Sequence, residues 1–68
     1  MVQRVAFRKL VMLHAAKALN DLAGASNSLE ALAGDRKGQY AIRVDIQYRL
    51  CFVWSNGNAG NVEIVDYH

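Results

Sequence analysis

Three segments near the end of the chain decide how it is read. They are Gly34-Asp35-Arg36-Lys37-Gly38-Gln39-Tyr40-Ala41-Ile42-Arg43-Val44, then Gln47-Tyr48-Arg49-Leu50-Cys51-Phe52-Val53-Trp54, then Val62-Glu63-Ile64-Val65-Asp66-Tyr67-His68. Between Ile42 and Val53 apolar and polar residues largely alternate, the period-2 pattern of strands with one buried face. Short polar breaks separate the segments. The expectation is a sheet of three antiparallel strands at 39–44, 47–54 and 61–66. The first two pair as a hairpin around Asp45-Ile46, and residues 55–60, with two Gly and two Asn, form a flexible loop into the third.

Upstream, residues 2–22 read as one helix, rich in Ala, Leu and Met and free of Gly and Pro. Val2, Ala6, Leu10 and Leu13 fall on one side, and Val11, Ala15, Leu19 and Leu22 on another. An apolar surface this wide exceeds the usual stripe and calls for two neighbours, of which one sheet supplies a single one. A partner, a second copy of the chain or a further segment is expected on the other side. Gly24-Ala25-Ser26-Asn27-Ser28 breaks the helix. Leu29 to Ala33 is a short segment whose type the pattern leaves open. Gly34 to Gly38 is a basic turn, and its spacing and lack of Ser/Thr exclude a Walker phosphate loop.

Composition sets bounds. At 68 residues the chain is one domain, spanning 1–68. A chain of that size buries roughly 60% of its unfolded surface, so its stability is marginal. The one cysteine, Cys51, cannot form an intramolecular disulfide and reads as a buried core thiol. No apolar run approaches the roughly 20 residues that span a bilayer. The N-terminus lacks the order of a signal peptide, so a cytoplasmic location is expected. A net charge of +2 is too small to argue for nucleic acid. Its distribution says more. Arg36, Lys37, Arg43 and Arg49 cluster within the fifteen residues 35–49 against Asp35 and Asp45 alone, a local patch suited to phosphate.

The three quoted segments, together with Leu29-Glu30-Ala31-Leu32-Ala33, resemble the RelE/HigB-like toxins of bacterial type II toxin–antitoxin systems, and the HigB branch above all. The agreement runs in order and spacing through residues 2–68. The resemblance implies an α+β fold of N-terminal helices on a small antiparallel sheet, with a further strand and first helix ahead of the helix at residue 2. This chain is therefore expected to be an N-terminally shortened version. It also implies a ribosome-dependent endoribonuclease that cuts mRNA without metal or other cofactor and is neutralised by a helix-turn-helix antitoxin of the HigA type. By resemblance, Asp66, Tyr67 and His68 match the family's terminal catalytic triplet, and Arg49 matches its strand arginine. Ala33 stands where the branch often has a phosphate-binding lysine.

Cleavage without metal needs a base for the 2′-hydroxyl, a cation for the charge building on phosphorus, and an acid for the leaving 5′-oxygen. His68 titrates near neutrality and suits acid or base duty. Glu30 is the other candidate base. Arg49 offers a fork that matches two phosphate oxygens. Tyr67 can stack on a base or donate a hydrogen bond, Asp66 assists, and Arg36, Lys37 and Arg43 reach the RNA backbone. Tyr40, Tyr48, Phe52 and Trp54 more simply fill the core, and His14 is structural or solvent-facing. A rival reading keeps the fold and drops the chemistry. A shortened, catalytically weak chain would serve as an antitoxin- or ribosome-binding module, or pair with itself through the open helix face.

Overall fold

The structure, a computed structural model, describes residues 2–24 and 26–67. Helix α1 (Val2–Ala15) lies across a four-stranded antiparallel sheet in the order β1 (Glu30–Ala31), β2 (Gln39–Arg43), β3 (Tyr48–Ser55), β4 (Asn58–Asp66). This is the α+β class expected. Strand β1 is new. It is two residues long, too short to show a period, and it takes its place through the register Glu30↔Ala41 and Ala31↔Tyr40.

The helix stops seven residues sooner than its composition suggests. Main-chain N–H groups of Lys17 and Ala18 donate to the Asp21 carboxylate at 3.0 and 3.1 Å. A short polar side chain has thereby offered these amides an alternative to the helical ladder. Ala18 is extended, and Leu19–Leu22 continues as a single tight 3₁₀ turn that buries Leu22 completely.

One face of the sheet carries the core. Ile42, Val44, Leu50 and Phe52 pack against Leu13, Ala16 and Leu22, with Tyr40, Tyr48, Trp54 and Ala59 around them. Tyr40 and Phe52 face each other across β2 and β3 with ring centroids 6.2 Å apart. These aromatics are spent on packing. On α1 the inward stripe runs through Val5, Ala6, Lys9 and Leu13 and is continued by Ala16 just past the helix end, while Phe7, Leu10 and Val11 are exposed. The second side expected at Val11, Ala15, Leu19 and Leu22 is not formed as a helix face, because Leu19 and Leu22 lie beyond the helix end and pack into the core. Lys9 is buried within the inward stripe. Its ammonium donates to the Asn27 side-chain oxygen and to Ser26 O at 3.4 Å, and burial pushes its pKa down.

The loop expected at 55–60 is a tight turn instead. Asn56 and Gly57 both take positive φ, 53° and 76°, the geometry that joins two twisted strands through two residues. β4 therefore starts at Asn58. Its register to β3 shifts between Cys51↔Glu63 and Val53↔Gly60, which leaves an extra residue on β4 with Asn61 at φ 49°. That bulge bends the edge strand along the sheet.

Candidate active site

Residues directly opposite one another across strands share a face. Register therefore places Glu30, Ala41, Cys51 and Glu63 in one row, and Arg43, Arg49 and Val65 in the next, all on the face away from α1. The floor of this face is closed. Ala41 and Cys51 are fully buried although α1 lies on the other side. Cys51 is thus a core thiol, as expected, but it belongs to this second face. Burial pushes its pKa up.

Arg49 sits at the centre of the charged row. Its Nη1 donates to the carbonyls of Asp45 at 2.9 Å and Tyr48 at 3.2 Å. Its Nε is buried without a hydrogen-bond partner among the described residues. The Tyr67 ring lies over the guanidinium, 5.0 Å from its Cζ to the ring centroid. That is a cation–π distance. The Asp45 turn supplies the carbonyl that holds Arg49. Asp45 Oδ1 accepts from the N–H groups of Gln47 and Tyr48, both at 2.8 Å, and these bonds hold its carboxyl below the usual range.

Past the end of β4 the chain stays on the sheet because Gln47 grips it twice. The Tyr67 N–H donates to Gln47 O at 2.7 Å, and the Gln47 amide donates to Asp66 Oδ2 at 3.1 Å. Tyr67 is thereby fixed beside Arg49, whereas Asp66 is opposite Tyr48 in register and belongs to the row facing α1. Burial pushes the Tyr67 phenol above its ordinary value, with Cys51 and Glu30 adding to the effect, so it is a donor at neutral pH and not a base. His68, expected in acid or base duty, lies outside the described residues.

The remaining expected residues divide. Arg43 is exposed and next to Arg49 in register. Glu30 is exposed on β1, two strands from Arg49 but on the same face. Lys37 is exposed on the turn before β2. Arg36 is not a free cation. Its Nη1 donates to Glu63 Oε1 at 2.7 Å and Gln39 Oε1 at 3.0 Å. His14 is exposed on α1, beside Asn58 and Val62, away from this face. Sequence reading missed Gln47 and Glu63. Only pairing register shows that Glu63 shares a face with the arginines. Among the described residues, no group of three or more metal-ligating side chains converges.

Set beside known proteins, the whole chain, residues 1–68, matches the model of a family described as the RelE-like toxin of the type II toxin–antitoxin system HigB. It is 46% identical over 61 residues to Toxin HigB-1 of Vibrio cholerae serotype O1, a match covering 88% of this chain and 64% of that protein.

Proposed function

The chain belongs to the HigB-like toxins, RelE-like members of type II toxin–antitoxin systems, and from that premise we propose that it is a ribosome-dependent endoribonuclease that cuts mRNA and arrests translation. A type II toxin has an antitoxin partner, and the partner proposed here is a helix-turn-helix protein met in the cytoplasm.

One observation carries the chemical reading: Arg43, Arg49, Tyr67 and Glu30 share the helix-free face, with Arg49 unpaired by any carboxylate among the described residues. RNA lies along that face with its phosphates toward Arg43 and Lys37. The scissile phosphate meets Arg49. As the 2′-oxygen attacks, the O2′–P bond forms and the P–O5′ bond breaks. Charge builds on the non-bridging oxygens, and the guanidinium is in place to take it. Holding Arg49 on main-chain carbonyls keeps it from swinging away and costs it no charge. With Glu30 as the base for the 2′ proton, His68 gives a proton to the 5′-oxygen; with His68 as the base, the imidazolium so formed hands that proton on to the 5′-oxygen. Tyr67 donates a hydrogen bond or stacks on the flanking base. Asp66, held by Gln47, orients the terminal residues. No cofactor is part of this scheme.

Inducible expression in bacteria, with and without an antitoxin gene, tests the reading. Growth arrest with new 3′ ends inside coding regions, reversed by the antitoxin, is expected. Harmless soluble protein that still captures the antitoxin would instead establish the binding-module alternative.

A further inference from the structure

Glu63 has no place in the cleavage scheme, yet it faces the same surface as Arg49 and closes on a cation expected to bind RNA. Arg36 leaves the 3₁₀ turn Gly34–Arg36 at one edge of the sheet and reaches Glu63 on β4 at the other. Gln39 Oε1 accepts from the same Nη1 and fixes its direction. Both side chains of the ion pair keep contact with solvent, 36% and 53% exposed, so the pair is accessible to an incoming anion. Exposed pairs of this kind are weak because water screens them, and a phosphodiester can compete for the guanidinium.

Resting on the ribonuclease reading, we propose that Arg36 and Gln39 form a phosphodiester subsite which the Glu63 carboxylate occupies in the free protein and vacates for RNA. Glu63 is then the residue that sets how tightly the face holds its substrate. The neighbouring row supports the direction of exchange. Arg43 and Arg49 form no ion pair among the described residues, with the Asp45 carboxyl near both but held by backbone N–H groups, and they draw the strand in, which brings a phosphate to Arg36 at high local concentration. The opposite directions in which the pair moves its two members, Arg36 upward and Glu63 downward, agree with a contact made in the free state.

The test is binding of a short, non-cleavable 2′-O-methyl RNA by the full chain, across a range of salt, for wild type, Glu63→Gln, Arg36→Gln and the double variant. Glutamine keeps the shape and the acceptor oxygen and removes only the charge. Glu63→Gln should bind about two- to fivefold more tightly. Arg36→Gln should weaken binding and flatten the salt slope by about 0.7, the share of one phosphate contact on a single strand. In the Arg36→Gln background the gain from Glu63→Gln should largely vanish. An equal gain in both backgrounds overturns the proposal, because it marks a bulk-charge effect and not a shared cation. Failure of all four proteins to bind overturns it too. Cutting of ribosome-loaded message by the wild type, scored separately, decides the ribonuclease reading whatever the binding result.

Discussion

Arg49 owes its position to carbonyl oxygens and an aromatic ring, so its charge is held in place without being cancelled. Lysine cannot reproduce that arrangement, because its single ammonium cannot bind two carbonyls and two phosphate oxygens from one plane. Arg49→Lys should therefore lower cleavage by about a hundredfold, the order seen when one transition-state donor is lost. A thermal midpoint matching wild type, measured alongside the rate, would show that the loss is chemical. Cys51 gives a second residue-scale expectation. Its thiol is fully buried and pushed up in pKa, and thiolate is the reactive form. It should react with a disulfide reagent far more slowly in the native chain than in urea. Equal rates would place it at the surface. At this scale residue type was legible and partnership was not. Arg49 was singled out by its guanidinium and by the family resemblance, and it stands on the helix-free face. Glu63 could not be paired with Arg36, because 27 residues separate them and only the sheet register joins them.

Among the elements, the turns carry the clearest expectations. Gly57 sits at φ 76° in the two-residue turn between β3 and β4, with only ordinary contact distance around its Cβ position. Gly57→Ala should cost about 1–2 kcal/mol through the left-handed backbone alone, read as a lower urea midpoint with an unchanged slope. The Asp45 turn adds a pH dependence. Its two backbone hydrogen bonds depress the carboxyl below 3.8 in the folded state. The stability it supplies is complete above that unfolded value and is lost as pH falls through the folded one. Thermal midpoints at about pH 6 and about pH 3 should thus differ less for Asp45→Asn than for wild type. An identical acid loss would show that the turn bonds contribute nothing. How far the elements could be read follows from the same contacts. The β2–β3 hairpin was legible because alternation runs from Ile42 to Leu50, through the turn that joins the two strands. The end of α1 was hidden because it depends on where Asp21 places its oxygens, and β1 because two residues have no period. The Asn56-Gly57 dipeptide is a strong turn signal. The Gly and Asn around it, including the bulge residue Asn61, made the stretch look like a longer loop.

For the molecule as a whole, the sheet divides two tasks between its faces. Residues Ile42, Leu50 and Phe52 hold α1 on one side, and the arginine row stands on the other. The α+β class could be read from a helical run followed by alternating strands. The side on which chemistry would sit could not, because β3 is buried on both faces at Leu50, Cys51 and Phe52 and loses its alternation there. Phe52 anchors the structural face and is fully buried. Phe52→Ala should cost about 3–5 kcal/mol. That is a large part of the roughly 5–15 kcal/mol available to a folded domain. The variant should populate unfolded chain at growth temperature, seen as a collapsed amide spectrum and loss of both RNA binding and cleavage. Arg49→Lys, by contrast, should leave the spectrum intact. The central claim is that the helix-free face cuts message through Arg49 under the Tyr67 ring. Its most direct test is mapping of 3′ ends after purified chain meets ribosomes loaded with a defined message, comparing wild type with Arg49→Ala and Tyr67→Ala at matched thermal midpoints. Discrete cuts by the wild type, reduced about a hundredfold or more in Arg49→Ala and clearly weakened in Tyr67→Ala, are expected. Cuts that persist undiminished in both variants would contradict the claim.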